Sequence, residues 1–194
     1  IDVLDQIGIE KICVNVHYKS ELLSDYLQSI KNKKILISDE TNKLLDTGGG
    51  IKKAFDLLEE DNSFVFNSDI FWKDVHAEQL KNMSEKFNGQ EMDVFLGLSH
   101  INKLEGYDGP GDFCFTDSQL IERYKQGNEN PYVYSGVQIL KKYLLNSISE
   151  SVFSINKAWD IAIKSNTLYG FKLEHQIMHI GTPKMVERVN DEKN

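Results

Sequence analysis

Asp69 has the residue type and the position that metal-assisted phosphate chemistry needs. It follows an apolar run in the segment FVFNSDIFW, 64–72, and is preceded by Asn67 and Ser68. An apolar run that stops at polar residues is typical of a buried strand. A carboxylate at the end of such a strand can hold Mg²⁺ against substrate phosphates. The alternative is an aspartate that only caps a helix or closes a turn.

A run of glycines forms the second candidate site. Thr47, Gly48, Gly49 and Gly50 open a segment, 50–60, whose apolar residues recur at helical spacing. Glycines let a ligand approach the backbone closely, and a helix N-terminus offers unpaired N–H groups and a partial positive charge. The alternative is a loop whose backbone needs positive φ angles.

The rest of the chain supplies strands and helices that would position these two sites. Apolar runs predict strands at 11–16, 34–38, 63–69, 92–99, 132–140, 168–174 and 175–181, with a small antiparallel excursion within 112–125. Helical periodicity predicts helices at 20–30, 50–60, 74–87, 141–147 and 155–165, and a last helix that begins at Thr182 and Pro183.

This alternation predicts an α/β fold, a Rossmann-like mixed, mostly parallel sheet with helices on both faces. Ligands of such sheets bind beyond the carboxyl ends of the strands, so Asp69 and the glycine run are expected at one edge. The length of 194 residues fits a single domain over 1–194.

Composition limits the classes of partner. The net charge of −8 and the pI of about 5.1 argue against a large nucleic-acid or membrane footprint, since either would favour a basic face. No apolar run reaches the roughly 18 residues of a membrane span, and no signal peptide is visible, which predicts a cytoplasmic protein. Cys13 and Cys114 are interpreted as buried reduced thiols, with a disulfide or a metal site as the alternative.

Four segments together resemble one family of enzymes. They are VNVHY at 14–18, LDTGGGIKKAF at 45–55, FNSDIFW at 66–72 and IMHIGTPKMV at 177–186. In this order they are similar to the sugar-1-phosphate nucleotidyltransferases, and most of all to the bacterial mannose-1-phosphate guanylyltransferase-like and N-acetylmuramate-1-phosphate uridylyltransferase-like branch. The resemblance covers nearly the whole chain. It implies the nucleotide-diphospho-sugar transferase fold, with a nucleoside triphosphate and a sugar 1-phosphate as substrates.

The resemblance also implies roles for individual residues. Asp69 would be the catalytic residue that holds Mg²⁺ between two phosphates. His179 would be either a second metal ligand or a group that holds phosphate or water. Nucleotide contacts fall on Glu40, Thr47, Gly48 and Gly49, and sugar-phosphate contacts fall on Asn67, Gly111, Asp112, Ser135 and Gly136.

Two departures from the family pattern accompany these assignments. The family's glycine-rich phosphate loop, with its arginine and Lys-Pro pair, is not found in the sequence, which opens on Ile1. The first strand and this loop are therefore expected to precede Ile1, and a chain of only these residues is expected to be inactive and to leave apolar strand edges open. Many relatives have an aspartate where this sequence has His179, and histidine is a softer ligand than carboxylate for Mg²⁺.

Two other functions remain as alternatives. A glycosyltransferase of the related fold would usually show an Asp-x-Asp metal motif, whereas NSDIF contains only Asp69. A non-catalytic pyrophosphorylase-like binding or regulatory module would lack the phosphate loop, and the sequence upstream of Ile1 distinguishes it from the enzyme. A monomer or a weak homo-oligomer is expected, and the residues do not identify the base or the sugar.

Overall fold

A computed structural model of the chain describes residues 1–30, 34–105, 107–116, 119–127, 129 and 131–191. The helices in these ranges are α1 (Asp2–Gln6), α2 (Ser20–Ser29), α3 (Asp46–Leu58), α4 (Ala77–Lys86), α5 (Lys142–Asn146), α6 (Asn156–Lys164) and α7 (Pro183–Asp191). The strands are β1 (Ile12–Val16), β2 (Ile35–Asp39), β3 (Asn62–Phe66), β4 (Ile70–Phe71), β5 (Val94–His100), β6 (Leu104–Glu105), β7 (Phe113–Phe115), β8 (Ile121–Arg123), β9 (Tyr132–Lys141), β10 (Leu168–Leu173) and β11 (Ile177–His179).

The largest sheet is built around β5 and β9. β5 pairs in parallel with β10 and antiparallel with β9, and β9 also pairs antiparallel with β3. β5 is buried over almost its whole length, because helices cover the sheet and its side chains on both faces are apolar. The mixed α/β fold predicted from the sequence is therefore confirmed.

The sheet is less parallel than the strand–helix alternation predicts. β9 runs antiparallel to both of its long neighbours, β3 and β5. The strand pair β7–β8, rather than a crossover helix, precedes β9 in the chain. Antiparallel strands can be joined without a helical crossover, and apolar periodicity does not reveal strand direction.

Two smaller sheets complete the framework. β11 lies between β4 and β6, antiparallel to the first and parallel to the second. β1 and β2 form a parallel pair, with Ile12 opposite Ile35 and Val16 opposite Asp39.

β1 and β3 face each other across an apolar cavity of about 390 Å³. Apolar residues of α3, among them Ile51 and Phe55, line it together with both strands. Within the described ranges β1 pairs only with β2, and β3 pairs only with β9. The edges of β1 and β3 that border this cavity agree with the expectation of open apolar strand edges.

Helix faces follow the predicted periodicity only in part. On α3, Phe55 and Leu58 are buried, as the apolar periodicity of this segment predicts, but the apolar residue Leu57 is 44% exposed. On α2, Leu27 is buried, whereas Leu22 and Tyr26 remain mostly exposed. The reason is that α2 packs mainly on the narrow β1–β2 pair, which can cover a single stripe of the helix.

Cysteine chemistry and membrane insertion can be compared directly with the structure. Cys13 and Cys114 are not joined in a disulfide. The prediction of a buried thiol holds for Cys114, whereas Cys13 is only half-buried. Burial raises the pKa of both thiols. None of the helices in the described ranges is long and apolar enough to cross a lipid bilayer.

Candidate active site

Asp69 and His179 meet at the edge where β3 ends, although 110 positions separate them. Oδ2 of Asp69 lies 3.1 Å from Nε2 of His179, and the two side chains are 49% and 38% exposed. The backbone brings them together. His179 pairs with Ile70 across the β4–β11 ladder, and the N–H of Ile180 donates to the carbonyl of Asp69 at 2.7 Å.

The imidazole of His179 lies directly against Gly181. A Cβ at position 181 would come within 2.8 Å of Cε1 of His179. A side chain at position 181 would therefore require the imidazole of His179 to shift.

The Asp69–His179 pair fits a divalent ion. The two atoms are hydrogen-bonded at 3.1 Å, and a carboxylate oxygen and an imidazole nitrogen are both donors that divalent ions accept. The described part of the chain contains no group of three or more His, Cys, Asp or Glu side chains that could hold a metal. Substrate oxygens and water would therefore supply the other ligands, as is usual for Mg²⁺ at phosphate sites.

Asn67 and Gly136 border this pair. The N–H of Asn67 donates to the carbonyl of Gly136 at 2.7 Å. Gly136 has a φ of +74°, and a Cβ there would collide with the side chain of Ile70, so only glycine fits. Asn67 and Ser68 line both the 390 Å³ cavity and a second cavity of about 640 Å³. The structure thus brings two of the predicted sugar-phosphate residues to Asp69.

Hydrogen bonds tie Asp112 to β9 and Gly111 to Tyr107. Oδ2 of Asp112 accepts from the N–H of Tyr134 at 2.9 Å, and its own N–H donates to the carbonyl of Tyr132 at 2.8 Å. The hydroxyl of Tyr107 accepts from the N–H of Gly111 at 3.2 Å and donates to Oδ1 of Asp112 at 3.4 Å. Burial, followed by the nearby Asp112, raises the pKa of Tyr107. Asp112 therefore anchors the turn that leads into β7.

Ser135 points into the sheet instead of into a cavity. Its side chain is fully buried, and its Oγ lies 2.9 Å from Oγ of Ser99 on β5. The hydroxyl of Ser135 joins two strands, and sugar-phosphate contact by this residue stays a prediction.

The glycine run lies inside α3, which begins at Asp46, four residues earlier than predicted. The N–H groups of Gly48 and Gly49 both donate to the carbonyl of Phe153, at 2.8 and 3.1 Å. Oγ1 of Thr47 accepts from the N–H of Ile155 at 2.9 Å. The expectation of unpaired N–H groups at this helix end is therefore wrong, because the chain near Phe153 already occupies them.

Close packing explains why these positions are glycines. A Cβ on Gly48 would collide with the ring of Phe153, and a Cβ on Gly49 would collide with the carbonyl of Ser151. The close approach that glycine permits is made by the protein's own backbone. Nucleotide contact by Thr47, Gly48 and Gly49 stays a prediction.

Glu40 is the centre of a buried polar network. Its side chain is 6% exposed. Oε1 accepts from Nδ2 of Asn15 at 2.6 Å, and Oε2 accepts from the N–H of Leu45 at 3.2 Å. Nδ2 of Asn15 also donates to the carbonyl of Gly50 at 3.0 Å. The carboxylate thus joins β1, the end of β2 and the start of α3.

Sequence reasoning missed Asn15 as a site residue. The signal was a lone amide within the apolar segment VNV at 14–16. Asn15 lines the 390 Å³ cavity, and so do Asn67 and Ser68. One cavity therefore connects the Glu40 network with the residues that precede Asp69.

Comparisons with known proteins agree with this architecture. A family model described as nucleotidyl transferase matches residues 1–109. The N-acetylmuramate alpha-1-phosphate uridylyltransferase of Caulobacter vibrioides is 31% identical over 188 residues, which cover 95% of this chain and 78% of that protein. The mannose-1-phosphate guanylyltransferase catalytic subunit beta of Dictyostelium discoideum is 31% identical over 197 residues, 95% of this chain and 52% of that one.

A solved structure shares the fold. HddC from Yersinia pseudotuberculosis, complexed with GMP-PN, superposes with a TM-score of 0.75 over 100% of this chain and 83% of its own, at 20% identity. The likeness extends over the whole α/β framework described above.

Proposed function

This chain belongs to the nucleotidyl transferase family, and we propose how its site performs the reaction of a sugar-1-phosphate nucleotidyltransferase. In that reaction a phosphate oxygen of the sugar 1-phosphate attacks the α-phosphorus of a nucleoside triphosphate. The bond from the α-phosphorus to the bridging oxygen breaks, and pyrophosphate leaves with its electron pair. The products are a nucleotide sugar and pyrophosphate.

The observation that carries the proposal is the contact between Asp69 and His179 beyond the end of β3. Their chain neighbours Ser68, Ile70 and Ile180 line a cavity of about 640 Å³. Asp69 and His179 would hold Mg²⁺, which supplies neutralisation of the charge that develops on the phosphates. Both side chains are about half exposed, so substrate oxygens can reach them. Positioning and charge neutralisation provide most of the catalysis in phosphoryl transfer, and no covalent intermediate is needed.

The sugar 1-phosphate lies, in this proposal, on the Asn67 and Gly136 side of Asp69. Asn67 lines the cavity wall, where its amide is available to a ligand. A side chain at position 136 would push against Asn67 and Ile70, and Gly136 avoids this contact. Asp112 accepts from the N–H of Tyr134 and so holds the neighbouring turn next to Ser135.

The nucleotide lies beyond the carboxyl end of β1, near Asn15 and Glu40. Ligands of α/β sheets bind at that end of the strands. Glu40 and the glycines set the position of α3 against β1 and β2, so they orient the nucleotide end of the site. Thr47, Gly48 and Gly49 act through the same helix start.

Substrate assays test this function. The full-length gene product is incubated with Mg²⁺ and each of four nucleoside triphosphates, together with N-acetylmuramate, mannose, heptose or glucose 1-phosphate. Pyrophosphate release and the mass of the nucleotide sugar are measured. We expect one pairing to dominate, and a nucleotide sugar in none of the pairings would contradict the proposal. We further propose that the protein acts in the cytoplasm, where its substrates would be available, and that it is a monomer or a weak homo-oligomer.

A further inference from the structure

We infer that His179 makes the metal site of this protein prefer Mn²⁺ to Mg²⁺, an inference that rests on the proposed function. The site offers one carboxylate oxygen and one imidazole nitrogen, 3.1 Å apart. No third His, Cys, Asp or Glu side chain joins them among the residues that the structure describes. The imidazole nitrogen of His179 is therefore one of the two donor atoms that Asp69 and His179 offer to the ion.

The identity of the two donor atoms decides the preference. Mg²⁺ is a hard ion that favours carboxylate, carbonyl and water oxygens, and it gains little from an imidazole nitrogen. Mn²⁺ accepts the same oxygens and also belongs to the series of transition ions that bind nitrogen donors. Histidine in this position also supplies no negative charge, which weakens the attraction for a strongly hydrated ion such as Mg²⁺.

The backbone of His179 is held next to Asp69. Its backbone pairs with Ile70 in the β4–β11 ladder, next to Asp69. The main-chain bond from Ile180 to Asp69 fixes the same two segments. Gly181 lies beside the ring, where a Cβ would come within 2.8 Å of Cε1. The backbone segments that carry the two donor atoms are therefore fixed relative to each other.

Mn²⁺ binding tests the inference directly. The full-length protein is labelled with ¹⁵N-histidine and titrated with Mn²⁺, alone and with UTP, while the free Mn²⁺ signal is followed by electron paramagnetic resonance. Pulsed measurements on the bound ion detect coupling to the labelled nitrogen. Competition with Mg²⁺ gives the ratio of the two dissociation constants. The variants are His179→Asp and, as a matched control, His175→Asp, an exposed histidine whose ring packs against His76 instead of Asp69.

We expect ¹⁵N coupling on Mn²⁺ in the wild-type protein and in the His175→Asp control, and its loss in His179→Asp. The preference for Mn²⁺ over Mg²⁺ should fall on the order of tenfold in His179→Asp, within the range that changes around a metal site produce. Absence of ¹⁵N coupling, an unchanged ratio in His179→Asp, or no retained Mn²⁺ in either condition would overturn the inference.

The failure of the inference can be separated from the failure of the proposed function. Nucleotide-sugar formation with Mg²⁺ but without ¹⁵N coupling would support the proposed function and show that His179 does not bind the metal. Clear ¹⁵N coupling without nucleotide-sugar formation from any substrate pairing would support the metal site and contradict the proposed function.

Discussion

The carboxylate of Glu40 occupies the space that a side chain on Gly50 would need. A Cβ at Gly50 would lie 2.7 Å from Oε1 of Glu40 and 3.2 Å from Nδ2 of Asn15. Gly50 is therefore glycine because a buried hydrogen-bond network borders its α-carbon.

Gly50→Ala should destabilise the protein and weaken nucleotide binding. The added methyl displaces Glu40 from Asn15 or from Leu45, and overpacking of this kind lowers the free energy of unfolding by about 1–3 kcal/mol. Urea unfolding and the KM for nucleotide measure the two effects. Gly89→Ala is the control, because the nearest atoms to a Cβ there are 3.8 Å away. Equal stability of the two variants would show that the Glu40 network tolerates displacement.

Gly49→Ala should lower stability through a different contact. The new methyl meets the carbonyl of Ser151, which is backbone and cannot rotate away. We expect a loss of about 1–3 kcal/mol in the free energy of unfolding. The ratio of KM values addresses the nucleotide role. A larger rise in KM for nucleotide than for sugar phosphate supports it, and equal rises would assign the glycine to the fold alone.

Asp69→Asn should abolish turnover and leave stability nearly unchanged. The carboxylate is 49% exposed and pairs with a half-exposed histidine, and pairs of that kind contribute about 0–1 kcal/mol to folding. Pyrophosphate release at saturating Mg²⁺ and Mn²⁺ is the measurement. Asp25→Asn, on an exposed position of α2, is the control. Wild-type activity in Asp69→Asn would show that this carboxylate does not bind the ion.

His76 should make stability fall as the pH is lowered below about 6.5, the ordinary histidine pKa. Burial lowers the pKa of His76, against hydrogen bonds with Gln176 and Lys73 that act in the opposite direction. The unfolded chain therefore binds a proton at a pH where the folded protein does not, and protonation favours unfolding. His76 also holds the segment that leads into β11, since Nε2 bonds to the carbonyl of Gln176 at 3.1 Å.

Urea unfolding between pH 7.5 and pH 5 checks this prediction. The wild-type protein should lose stability more steeply than His76→Gln, which carries no titrating ring. The matched variant His100→Gln, at a half-buried position, should keep the wild-type slope. Parallel pH profiles for all three proteins would show that His76 does not govern the acid sensitivity.

The sequence alone predicted the class of the fold and the two segments, at the ends of β3 and β11, that carry Asp69 and His179. Asp69 follows an apolar run, and the place of such a residue at a sheet edge depends only on local periodicity and the α/β rule. His179 was named through a short motif, IMHIGTP, that needs no tertiary information. These features are local, so a single chain can reveal them.

The tertiary structure alone decided which groups are free to act. The N–H groups of Gly48 and Gly49 are taken by Phe153, a residue about 100 positions away, and the hydroxyl of Ser135 is taken by Ser99. Asn15 joins the site because its amide donates to Glu40 and to the carbonyl of Gly50. The 3.1 Å approach of Asp69 to His179 depends on the β4–β11 ladder. Long-range hydrogen bonds and packing leave no periodic trace in a sequence, and for that reason only the folded chain shows them.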